Sequence, residues 1–100
     1  MALPKVIKHS FYGGDYVLVN ISQKRIDEEK LLKEVQGFEI EHSQNAYIFM
    51  NEETLSELVN VCPALMYFQA TESYDGMISS YCGRKIYRDE NLKFGEVEIR

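Results

Sequence analysis

Two His-Ser pairs, His9-Ser10 and His42-Ser43, and two cysteines, Cys62 and Cys82, are the residues of this chain best equipped for chemistry. A histidine beside a serine suggests a base activating a hydroxyl nucleophile, and two histidines with two cysteines match the ligand count of a zinc site. The spacing argues against both. IKHSF and IEHS read as strands, in which neighbouring side chains leave on opposite faces, so neither histidine reaches its own serine. No G-x-S-x-G elbow accompanies them. The four metal ligands include no close pair of the C-x-x-C or H-x-x-x-H kind, so no metal is expected. His9 shares its parity with Ile7 and Phe11, and His42 with Ile40, as hydrogen-bonded histidines at the edge of a core would.

Cys82 lies in SSYCGRK, where Arg84 and Lys85 would favour a thiolate, but no sequence feature places a base beside it. Cys62 falls on an apolar helical stripe and reads as a small core residue. The acidic groups Asp27-Glu28-Glu29 and Glu52-Glu53 open predicted helices, where the macrodipole favours negative charge. With no phosphate-binding loop, EF-hand loop or dinucleotide fingerprint, no catalytic residue and no cofactor is assigned.

The elements that would carry these residues alternate. Residues 5–11 and 16–21 are rich in β-branched and aromatic side chains, and Gly13-Gly14 between them suits a tight hairpin turn. A helix is expected from Asp27 as N-cap, with Ile26 and Leu31 as a hydrophobic staple, a buried stripe of Leu31, Leu32 and Val35, and a stop at Gly37. FEIEHS and AYIFM then read as a second hairpin around Gln44-Asn45. A second helix over Glu52–Val61 follows, capped by Asn51, with Leu55, Leu58, Val59 and Cys62 on its buried face and Pro63 ending it. ALMYFQAT reads as a strand, or as the opening of a third helix. Asp75-Gly76 is a turn signal, MISSY and KIY are strands, and the chain finishes with LKFGEVEIR. There, Leu92 and Phe94 oppose Val97 and Ile99 in parity, so a β-bulge at Gly95 is expected to restore one apolar face.

The predicted fold class is therefore α+β: a mostly antiparallel sheet with two helices on one face, ordered ββαββα and followed by C-terminal strands. The likeness of IKHSFYGGDYVLVN to IEHSQNAYIFMN suggests an internal ββα duplication, although hairpins of similar composition also converge. A chain of 100 residues with 45% hydrophobic and 27% charged residues supports one globular domain over 1–100. It buries roughly two-thirds of its unfolded surface, enough for one core.

No apolar run approaches the roughly 20 residues of a membrane span, and no signal peptide is recognisable, so a cytoplasmic protein with free thiols and no membrane partner is expected. A net charge of −5, with its cations dispersed, argues against nucleic acid. What remains is contact with protein. Seven tyrosines and five phenylalanines without tryptophan make a tyrosine-heavy set, suited to large contact area with a polar tip. Tyr12, Tyr74 and Tyr81 lie in or beside predicted turns, where core burial is least expected. With Arg84 they form the candidate binding residues.

The final segment, YCGRKIYRDENLKFGEVEIR, resembles the C-terminal ends of short tailed-phage proteins, in which a Gly, a strand, an Asp-containing turn and a closing Gly-Glu strand recur. The resemblance covers residues 81–100 and carries no catalytic residue. It implies a phage or prophage origin, where compact acidic proteins bind a host protein or belong to the virion. The function expected from the sequence is a non-enzymatic protein-binding module acting on a host protein. A self-assembling virion or assembly component is the alternative, followed by a small thiol- or histidine-dependent hydrolase.

Overall fold

The computed structural model of the chain describes residues 6–9, 15–22, 26–68 and 72–100. Strands β1 (Val6–His9) and β2 (Asp15–Asn20) pair antiparallel, as the first hairpin requires. Gly13-Gly14, the expected turn, lies outside the described residues. Helix α1 spans Glu28–His42, with Asp27 as the predicted N-cap accepting from the Lys30 amide. Leu31 and Val35 are buried and Leu32 is partly buried, as the stripe predicts.

The helix does not stop at Gly37, and FEIEHS is its last turns rather than a strand. Phe38 extends the Leu31–Val35 stripe by three residues and is buried, whereas Ile40, its partner in the alternating pattern, is 81% exposed. Glycine inside a helix costs about 1 kcal/mol relative to alanine. Burying a phenylalanine offsets this with about 1.5–3 kcal/mol. Ser43, at φ 52°, takes the left-handed capping position expected of Gly37. The second hairpin therefore does not exist: β3 (Ile48–Met50) follows α1 directly, and the two histidines sit in unlike structures. His9 ends a strand and His42 ends a helix, so the internal ββα duplication is not present in the fold.

Helix α2 (Glu52–Val61) matches its prediction, with Asn51 capping through the Thr54 amide and Pro63 ending it. Pro63–Leu65 forms one 3₁₀ turn, after which β4 (Met66–Phe68) begins, so ALMYF divides between the two expectations. β5 (Met77–Tyr81) and β6 (Arg84–Arg88) form a hairpin across Cys82-Gly83, both at positive φ, the backbone of a tight two-residue turn. β7 (Glu96–Ile99) closes the chain.

Gly95 is not a bulge. It stands at φ +84° in the turn entering β7, and a Cβ there would overlap the Ser22 side chain, so the close approach of another chain segment selects glycine. Phe94 stays 39% exposed, and the sheet's register shift falls instead in β5, between Met77 and Ser79.

The seven strands form one sheet in the order β1-β2-β7-β3-β6-β5-β4, antiparallel throughout except for β3 beside β6. Cross-strand partners share a face. Val17, Ile99, Ile48 and Ile86 form one such row, buried under both helices with Leu31, Val35, Phe38, Leu55 and Leu58. The fold is α+β, with both helices on one face of a mostly antiparallel sheet. No described helix is long and apolar enough to cross a membrane.

Candidate functional site

Parity along each strand sends every second side chain to the face that carries no helix. One cross-strand row there runs Leu18, Glu98, Phe49, Tyr87, Met77. A second, two residues along each strand and past the register shift in β5, runs Tyr16, Arg100, Tyr47, Lys85, Ser80, Tyr67. Five aromatic rings thus share one face, about 24 Å across from β2 to β4 at ordinary strand spacing. Tyr47 and Tyr67 are exposed, at 47% and 62%, while Tyr16, Phe49 and Tyr87 are half-buried by their neighbours. Phe49 stacks on Tyr87 with centroids 5.2 Å apart, and Tyr47 lies 6.2 Å from Tyr87.

Among the described residues, this face carries two ion pairs, Arg100 with Glu98 and Lys85 with Asp75. Arg100 Nε donates to Glu98 Oε1 at 2.9 Å, and its guanidinium carbon lies 4.3 Å from the Phe49 ring centre and 5.8 Å from that of Tyr16. Lys85 Nζ donates to Asp75 Oδ2 at 3.2 Å, and the Tyr87 hydroxyl reaches the same oxygen at 3.5 Å. The Ser73 hydroxyl, then the Met77 amide and Lys85, donate to Asp75 and hold its carboxyl down to about 2. Hydrogen bonding to Asp75 in turn raises the Lys85 ammonium. Burial raises the Tyr87 phenol, so this ring stays a neutral donor at physiological pH.

Of the residues singled out in the sequence, the structure makes Tyr81 and Arg84 cross-strand partners and leaves Tyr74 apart from them. Tyr12 lies outside the described residues. Tyr74 is fully exposed in the β4–β5 connection, beside Asp75 and hence at the rim of the aromatic face. Tyr81 is fully buried, contrary to the exposure expected beside a turn, because its parity on β5 points it under α1. There its hydroxyl donates to Glu28, and burial first, then that carboxylate, raises the phenol. Arg84 has the same parity and also faces α1. Its Nη2 and Nε donate to the two Glu39 oxygens at 2.7 and 3.1 Å, and Glu39 Oε2 also accepts from the Ala46 amide at 2.9 Å. The Arg84 hydrogen bonds hold the Glu39 carboxyl below its ordinary range.

Among the groups that suggested chemistry, His42, Cys62 and Cys82 have described surroundings. His42 Nδ1 lies 3.1 Å from the Phe38 carbonyl oxygen and its ring stacks on Phe38 at 4.1 Å. Cys62 is buried and its thiol, donating to the Leu58 carbonyl, is pushed up to about 11, chiefly by burial. Cys82 is exposed, and the cations beside it in sequence, Arg84 and Lys85, are held by Glu39 and Asp75. Among the described residues, no three His, Cys, Asp or Glu side chains converge as metal ligands.

The aromatic face was present in the sequence as Tyr47 and Phe49 alternating with Ile48 and Met50, and as Tyr16 alternating with Val17. What the sequence lacked was the strand order that sets these rings side by side. No protein-family model, curated protein or solved structure matches the chain.

Proposed function

We propose that the protein is a non-enzymatic protein-binding module whose contact surface is the helix-free face of its sheet. The observation that carries this reading is the two-row array of Tyr16, Tyr47, Phe49, Tyr67 and Tyr87, with Arg100 and Lys85 set among them. Tyrosine and arginine are enriched at protein interfaces, where they combine large contact area with polar tips. The two described ion pairs on this face, Glu98 with Arg100 and Asp75 with Lys85, set charge of both signs among the rings. Tyr74 at the rim joins the same surface, whereas Tyr81 and Arg84 support it from beneath α1. Cytosolic residence fits two free thiols. A phage-encoded protein acting on a host protein remains the biological setting proposed from the C-terminal resemblance.

Capture from a lysate of the source cell, using Tyr47→Ser/Tyr67→Ser against wild type and against Ile40→Ser on the outer side of α1, tests the reading. The double variant is expected to lose the partner at an unchanged melting temperature, while Ile40→Ser keeps it. Equal capture by all three would exclude this face. Self-association is the second reading, supported by the outer strands β1 and β4, each paired on one side within the sheet. A concentration-dependent oligomer in light scattering would favour it; a monomer at all concentrations would not.

A further inference from the structure

We propose that the helix-free face contains a cage for one guanidinium group, floored by Glu98 and walled by Phe49 and Tyr16. In the free protein Arg100 fills it, and a partner's arginine side chain enters by displacing Arg100. This deepens the contact-surface reading and rests on it.

The floor is an unusual carboxylate. Glu98 lies mid-strand between Leu18 and Phe49, and its side chain is only 9% exposed although it faces away from the helices. Removing a carboxylate from water is costly unless a cation meets it, so the position requires a positive group. The walls suit a planar cation: the Arg100 guanidinium carbon sits 4.3 Å over Phe49 and 5.8 Å from Tyr16, within cation–π range of both. Guanidinium stacks on rings and matches a carboxylate fork better than ammonium does.

The internal occupant is held loosely. Arg100 is anchored by its backbone, which exchanges two hydrogen bonds with Tyr47, but its side chain is 44% exposed. Two residues beyond Glu98, just past the end of β7, it presents Nε to one oxygen, and no acceptor among the described residues meets its terminal nitrogens. An arginine arriving from outside the sheet is free to approach end-on and bond both carboxylate oxygens, the stronger bidentate geometry. The chain's net charge of −5 favours the approach of such a cationic partner.

N-acetyl-arginine amide, titrated into the protein and followed by amide and aromatic chemical shifts, probes the cage without any partner. If Arg100 fills the cage about 90% of the time, removing it raises apparent affinity about tenfold. Arg100→Ala is expected to bind the probe with saturable shifts at Phe49 and Glu98 and a Kd about tenfold below that of wild type. Arg100→Gln, which keeps the stem, is expected to behave likewise. N-acetyl-lysine amide should bind several-fold more weakly. Adding Glu98→Gln to Arg100→Ala should abolish binding. Equal affinity in wild type and both Arg100 variants, or binding that survives Glu98→Gln, overturns the cage. Should the cage fail while Tyr47→Ser/Tyr67→Ser still loses the partner, the contact surface stands without it. Should the cage bind arginine while those tyrosines prove dispensable for capture, the cage stands and the contact surface falls.

Discussion

Replacing Arg84 by methionine separates a contact residue from a structural one. The guanidinium ties β6 to α1 by two hydrogen bonds to Glu39, and the paired side chains are only 18% and 19% exposed. An exposed pair contributes about 0–1 kcal/mol. Breaking a fully buried one by removing a single partner costs about 3–5 kcal/mol. At this intermediate burial Arg84→Met should cost about 2 kcal/mol, which for a domain of this size lowers Tm by about 8–16 °C. Glu39→Gln keeps an acceptor for the Ala46 amide and should cost slightly less. Urea unfolding of wild type, both single variants and the double variant completes a cycle, with a coupling of about 1–2 kcal/mol expected. The cycle also has a pH signature. Arg84 holds the native Glu39 carboxyl below the ordinary 4.5, so the pair's contribution is complete above that value and disappears as pH falls through the depressed native value. The stability gap between wild type and Glu39→Gln should therefore narrow in acid. Single variants within about 0.5 kcal/mol of wild type and an additive double variant would refute the structural role. Lost partner capture at full stability would then return Arg84 to the surface.

Gly95→Ala should cost about 2–4 kcal/mol in urea unfolding, from a left-handed backbone at φ +84° and a clash that displaces Ser22 from Asn20. Cys82→Asn, in the turn with Gly83 where both residues have positive φ, should raise stability by about 0.5–1 kcal/mol and Tm by a few degrees. Tyr81→Phe removes the hydroxyl that meets Glu28 and should cost about 1.5–3 kcal/mol while leaving partner capture unchanged. With an aromatic disulfide reagent at pH 8, exposed Cys82 should react at once, whereas Cys62, buried and raised to about 11, should react only on unfolding.

Where local chemistry decides structure, the sequence was sufficient. Asp27 and Asn51 cap the two helices as their residue types require, Pro63 ends α2, and Asp75-Gly76 turns the chain into β5. It failed where two periods competed over the same residues. Phe38 and Ile40 satisfy strand alternation, but Phe38 also continues the helical stripe of Leu31 and Val35, and Glu39 finds Arg84 only if the segment is helical. That decision was made by contacts 45 residues apart, which no local window contains. Apolar parity marks Gly95 as a special position but not its role, because its constraint comes from Ser22 rather than from its own strand. Nearness to a turn suggests surface positions for Tyr81 and Arg84, but their parity with Ile86 across β5 and β6 sends them under α1. The aromatic face followed from alternation alone only after β7 was known to lie between β2 and β3.

Hydroxyl-radical footprinting of the protein free and partner-bound locates the contact surface most directly. If the helix-free face is that surface, oxidation of Tyr47 and Tyr67 falls several-fold in the complex, Tyr74 at the rim falls less, and Ile40 and Val61 on the helices stay unchanged. Protection of Ile40 and Val61 with Tyr47 and Tyr67 still fully reactive would contradict it.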